Sequence, residues 1–99
     1  MSNKAHTATA RRIARRYGAL LQSNGGIDVK LDSFLVAVET CATLNAGFEL
    51  LQAVSGRRYL AVTNREAVSE AVEKAQGTSI GVMDAQGNIV KEAGMGDNP

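Results

Sequence analysis

Hydrophobic and polar positions follow two different periods along this chain, and each change of period marks a new element. In TATARRIARRYGALLQ, residues 7–22, Ile13, Tyr17, Leu20 and Leu21 recur at helical spacing with Ala10 and Ala14 alongside. This predicts an amphipathic helix capped by Thr7 or Thr9, with Arg11, Arg12, Arg15 and Arg16 on its remaining surface. SNGG, 23–26, predicts a turn. IDVKLDS, 27–33, alternates apolar and polar residues as a half-buried strand does. After a short turn at Asp32–Ser33, FLVAVETCATL, 34–44, opens as a continuous Val-rich run, the pattern of a central strand covered on both faces. The two strands are expected to form a hairpin.

The helical period then returns. AGFELLQAVSG, 46–56, places Phe48, Leu51 and either Leu50 or Val54 on one side, with Asn45 as its cap and Gly56 at its end. RRYLAVTN, 57–64, reads as a buried strand. REAVSEAVEKAQG, 65–77, carries a stripe of Ala67, Val68, Ala71, Val72 and Ala75, capped by Asn64 and ended by Gly77. TSIGVMD, 78–84, is a further strand, AQGN a turn, and IVKEA a short edge strand. The order αββαβαβ, with βαβαβ over 34–84, predicts an α/β domain. Its centre is a mixed sheet of four to five strands flanked by helices on both faces. One domain is expected over 7–92, between a flexible N-terminal tail, 1–6, and a disordered C-terminal tail, 93–99.

Composition narrows the function classes. The 99 residues fit a single core, and the 44% apolar and 21% charged shares are those of an ordinary globular domain. No run approaches the roughly 18 apolar residues of a membrane helix, and no secretory leader pattern is visible. A lone cysteine, Cys41, makes neither an internal disulfide nor a cysteine zinc site, so a reducing, cytoplasmic setting is expected. The single histidine, His6, argues against a Ser-His-Asp triad or a multi-histidine metal site, and its place in the tail predicts no role. The net charge of +1 is unevenly divided. Residues 1–33 hold six basic and two acidic side chains, and the rest hold five basic and eight acidic. That asymmetry suits an anionic partner at the N-terminal end.

Two acids stand out against the apolar pattern. Glu39 shares a face with Ala37 in a strand that otherwise reads as core, and Asp28 opens the neighbouring strand. The expected hairpin register brings both to one end of the sheet, beside the Gly25–Gly26 turn. Two converging carboxylates suit Mg²⁺ or Mn²⁺, because Mg²⁺ binds through one or two carboxylates plus substrate phosphates. Blander readings stand beside this one. Asp28 satisfies a turn amide; Glu39 pairs with Arg57 or Arg58; the arginines form a solvated face; Cys41 and most of the four aromatics fill core. Asp32 offers a substitute metal ligand.

This layout of helix, GGID hairpin, carboxylate-bearing strand, helix and strand resembles the PD-(D/E)xK nuclease superfamily. It is most similar to the Mrr-like restriction endonuclease domains and the archaeal Holliday-junction resolvases. SNGGIDV matches their Gly-rich turn and Asp, and LVAVET their strand ending in Glu-x-Lys or Gln-x-Lys. YLAVTNREAVSEAVEKA and IGVMDAQGNIV match the later strand-helix and final strand, so the resemblance spans roughly residues 10–90. It implies a restriction-endonuclease-like fold and a metal-dependent DNA endonuclease or resolvase acting as a homodimer. Asp28 and Glu39 would be the catalytic and metal-holding residues, with Mg²⁺ or Mn²⁺ as cofactor. Arg11, Arg12, Arg15, Arg16 and Lys30 would contact DNA. Two positions depart from the pattern: Ala37 stands where the family has Glu or Gln, and Glu39 where it has Lys. The alternative is therefore a catalytically degenerate relative that binds DNA or a partner.

Overall fold

The computed structural model describes residues 4–21 and 27–94. The expected turn at 23–26, the two glycines in it and the end of the C-terminal tail, 95–99, lie outside the described residues. The elements are α1 (Lys4–Tyr17), β1 (Leu20–Leu21), β2 (Val29–Lys30), β3 (Leu35–Glu39), a 3₁₀ turn (Cys41–Thr43), α2 (Leu44–Gln52), β4 (Arg58–Val62), α3 (Glu66–Ala75), β5 (Gly81–Met83) and β6 (Ile89–Lys91). The strands form one mixed sheet in the order β1-β2-β3-β4-β5-β6. β3, β4 and β5 run parallel, while β1, β2 and β6 join antiparallel. This is an α/β fold with six strands rather than four or five.

The extra strand comes from a helix that stops early. Gly18 adopts φ +65, where a side chain would be strained. Ala19 N donates to Ala14 O at 2.8 Å, closing the helix as a Schellman-type end. Leu20 and Leu21, expected on the helix, therefore form the edge strand β1, where they are 71% and 49% exposed. α1 also begins earlier than expected, at Lys4, so Thr9 is a buried mid-helix residue and not a cap. Likewise β3 ends at Glu39, five residues before the predicted limit. There Thr40 N donates to Thr43 Oγ1 at 2.9 Å, and Thr43 N to Thr40 O at 3.1 Å. This reciprocal cap starts the turn into α2 and moves Asn45 inside the helix.

Helices cover both faces. One core layer joins α2 and α3 to the sheet through Leu44, Leu51, Ala67, Ala71 and Ala75 against Ala37, Leu60, Val62 and Val82. The other joins α1 to it through Ala10, Ile13 and Ala14 against Val29, Val36, Val38 and Ala61. Tyr17, Phe34 and Tyr59 stack edge-to-face with centroids 5.4 and 5.2 Å apart, tying α1 to the hairpin and β4. Asn64 caps α3 as expected, its Oδ1 accepting from Ala67 N at 3.0 Å. Among the described residues no helix is long and apolar enough to cross a membrane.

The β5–β6 turn is organised by Asp84. Its Oδ1 accepts from Gln86 N and Asn88 N at 2.9 Å each, and its Oδ2 from Asn88 Nδ2 at 3.0 Å. Burial works to raise this carboxyl, but the Asn88 and Gln86 donors and the Arg16 charge outweigh it and hold it below its ordinary value. A carboxyl lowered on folding stabilises the fold above its unfolded pKa of about 3.9, and that stability is lost as pH falls through the folded value. Asp84→Ala is expected to cost about 1–2 kcal/mol at pH 7. Denaturant melts at pH 7 and pH 3 check this: the gap between variant and parent should narrow at the lower pH, and an equal gap at both would refute the charge-based account.

Candidate functional site

The hairpin register places Val29 opposite Val36 and Lys30 opposite Leu35. Asp28 therefore lies beside the last residues of β3, where β2 has ended and the ladder is open. Its backbone N donates to Val36 O at 2.9 Å, and its Oδ2 accepts from Val38 N at 2.7 Å. The side chain thus takes the place a backbone carbonyl would hold in a longer β2. That brace fixes the carboxylate at the carboxyl end of β3, where Glu39 also stands.

Glu39 projects from the α2 side of the sheet. Gly47 of α2 is a close-approach position: a methyl there would overlap Glu39 Cγ and lie 2.6 Å from its carboxyl carbon. Only glycine leaves room for the Glu39 side chain between strand and helix. Gly47→Ala is expected to expel the carboxylate toward solvent. The fold should survive, since alanine favours a helix over glycine by about 1 kcal/mol. Carboxyl NMR would then show Glu39 titrating nearer 4.5, its ordinary value; an unchanged titration would refute the packing argument.

The two acids share one electrostatic environment. Burial pushes Asp28 above its ordinary value, against the pull of the Val38 amide and of His6. Burial also raises Glu39, and the Asp28 charge adds to the rise, while the Thr43 hydroxyl and His6 oppose it. Carboxyls kept costly to ionise cluster at functional sites, and structural networks produce them as well.

His6 stands beside Asp28. Its Nε2 lies 3.0 Å from Asp28 Oδ1. The sequence placed it in a loose tail; the longer α1 carries it over the end of β2 instead. The missed signal was the helix-compatible KAHTATA run, which holds neither glycine nor proline.

The other residues separate. Asp32 sits in the turn at the far end of the hairpin from Asp28, so it is no substitute ligand. Arg57 and Arg58 do not pair with Glu39: Arg58 is aligned with Leu35, at the opposite end of the strand. Arg57 binds Glu92 at 3.1 Å. Cys41 is exposed, not core, because the strand alternation has already ended. Its Sγ is 3.7 Å from Asn64 Oδ1. Ala37 is fully buried against α2 and α3 and offers no side-chain ligand. Arg11, Arg12, Arg15 and Arg16 line the outer side of α1, whereas Lys30, which alternates with Val29, points to the other face of the sheet.

Among the described residues no three His, Cys, Asp or Glu side chains are placed to hold a metal together. Mg²⁺ elsewhere binds through one or two carboxylates plus waters and substrate phosphate oxygens, and Asp28 and Glu39 are the two acids at this strand end that would have to supply them. The Asp28 oxygen now facing His6 is the one that would have to turn to it. Compared with models of known families, with curated proteins and with solved structures, the chain matches none.

Proposed function

We propose that this chain is a metal-dependent DNA endonuclease or resolvase-like protein of restriction-endonuclease-like fold, hydrolysing phosphodiester bonds. The observation that carries the reading is that Asp28 and Glu39, both half-buried and raised, stand at the common end of β2 and β3, near enough for the Asp28 charge to act on Glu39. Support comes also from the element order: α1, the β2–β3 hairpin, the carboxylate-bearing β3, α2 and β4 follow the layout of the PD-(D/E)xK resemblance.

Asp28 and Glu39 would hold Mg²⁺ or Mn²⁺, which polarises a phosphodiester and lowers the pKa of bound water. The chain's own contributions are positional. The Val38 N–H aims Asp28, Gly47 and Thr43 aim Glu39, and His6 is an imidazole at hydrogen-bonding distance, suited to hold a proton at Nε2. A homodimer would present two such sites to two strands, and the lone cysteine suits a cytoplasmic setting.

The test is conversion of supercoiled DNA to nicked or linear product in Mg²⁺ or Mn²⁺ and its loss in EDTA. A second reading, a degenerate relative that binds DNA without cutting it, is favoured by the buried methyl of Ala37. It predicts salt-sensitive binding with no product in either metal, and that outcome would overturn the nuclease.

A further inference from the structure

The four arginines of α1 divide into two pairs with different work. Arg12 Nη1 donates to Ala85 O at 2.8 Å. Arg16 Nη1 donates to Gln86 O at 3.0 Å and to Asn88 Oδ1 at 2.7 Å, and its guanidinium stacks on Tyr17, 5.6 Å from the ring centre. Tyr17 Oη donates to Gly87 O at 2.7 Å. These three side chains pin the β5–β6 turn to the flank of α1. Arg11 and Arg15 are exposed, and among the described residues neither side chain makes a hydrogen bond or ion pair.

Two observations point from this division to an anion. First, α1 contains no acidic residue, so Arg11 and Arg15, four apart, face each other without a counter-charge. Such like-charge pairs destabilise a helix. The repulsion is answered for Arg12 and Arg16 by the turn's carbonyls; for Arg11 and Arg15 no described residue supplies a side-chain partner. Second, the four arginines wall a shallow depression of about 440 Å³ with Ala8 among its lining, so the small residue opens a space between cations.

We infer that the outer face of α1 is a cradle for nucleic-acid backbone phosphates, in which Arg11 and Arg15 contact the phosphates and Arg12 and Arg16 stand as fixed positive walls. This rests on the DNA reading above but not on cleavage. Arg11 and Arg15 are separated by about 6 Å along the axis at 1.5 Å per residue, so they meet successive phosphates and not bases; the cradle is indifferent to sequence. Lys30, on the other face of the sheet, takes no part.

The experiment is titration of a random-sequence 20-base-pair duplex with the whole chain in EDTA, at salt concentrations from 50 to 200 mM. Each phosphate contact adds about 0.9 to the slope of log affinity against log salt. Arg11→Gln/Arg15→Gln should therefore flatten the slope by about 1.8, shrinking the affinity ratio across that range about 12-fold. Its melting temperature should hold or rise slightly, because the Arg11–Arg15 repulsion is removed. Arg12→Gln/Arg16→Gln should instead lower the melting temperature by releasing the turn. An unaltered slope in Arg11→Gln/Arg15→Gln would overturn the cradle and leave the nuclease untouched. Displacement of the duplex by inorganic triphosphate at equal phosphate concentration would also overturn it, in favour of a discrete small-anion site. Failure of cleavage in Mg²⁺ with the slope change intact would sink the nuclease and leave the cradle standing.

Discussion

Asp28→Asn and Glu39→Gln are expected to abolish the proposed metal-dependent cleavage while leaving the protein as stable as its parent, or more so. Losing a mere outer-shell partner of a metal costs about 10–100-fold, so losing a ligand should exceed about 100-fold. The stability effect runs the other way. Both carboxyls are raised above 3.8 and 4.5 by burial, so the folded state prefers them protonated. Their penalty is absent below the ordinary carboxylate range. It grows as pH rises through that range and is complete above the raised folded values. At pH 7 each anion therefore opposes folding, and a neutral isostere removes the opposition.

The choice of isostere matters. Asn keeps an oxygen for the Val38 amide, which Asp28 accepts at 2.7 Å. Asp28→Ala would leave that part-buried donor unpaired, at a cost of about 1–3 kcal/mol. The Asn and Ala variants should thus be equally inactive yet melt on opposite sides of the parent at pH 7. If Asp28→Asn melted well below the parent and still cleaved DNA, the acid would be structural and the functional reading lost.

The largest loss of stability is expected at Arg58. Its side chain is fully buried, with Nε 2.6 Å from Leu51 O and Nη1 2.8 Å from Gly56 O and 3.1 Å from Ser79 Oγ. Leu51 O belongs to the last turn of α2, where it also accepts from Val54 N at 3.3 Å. The guanidinium thus adds a charged donor at that helix end and links it to the loop before β5. Arg58→Ala removes three buried or part-buried hydrogen bonds and opens a cavity, for an expected loss of about 3–5 kcal/mol. Domains of this size hold about 5–15 kcal/mol in all. At about 4–8 °C per kcal/mol the melting temperature should fall by at least about 12 °C. Arg58→Lys, which keeps charge but not the planar fork, should recover only part of this. Urea denaturation measures both variants, and a loss below about 1 kcal/mol for Arg58→Ala would show that the network is dispensable.

Arg58 also shows why some contacts were illegible in the sequence. Its neighbours Leu51, Gly56 and Ser79 include one residue 21 positions away, and no local pattern joins them. The sequence offers Arg57 or Arg58 as a counter-ion for Glu39, as one reading beside the metal site. Parallel pairing of β3 with β4 puts Arg58 and Glu39 at opposite strand ends, about 13 Å apart at 3.3 Å per residue. Cys41 failed for a different reason. Alternation assigns a face only while the strand continues, and the Thr40–Thr43 cap had already ended it. The α1 boundary failed at Gly18, where apolar spacing through Leu20 and Leu21 outweighed a glycine suited to end the helix.

Periodicity alone determined the α/β class, the alternation of elements from residue 34 to 84, the alanine stripe of α3 and the hairpin that sets Asp28 against the end of β3. These rest on interactions between near neighbours, and local period is a faithful record of which side is buried. Tertiary structure alone decided that His6 meets Asp28, that Gly47 makes room for Glu39, and that Arg12 and Arg16 hold a turn some 70 residues away while Arg11 and Arg15 face outward. Each of these depends on how α1 and α2 lie across the sheet. That placement is set by the summed packing of two core layers, which no single stretch of the chain encodes.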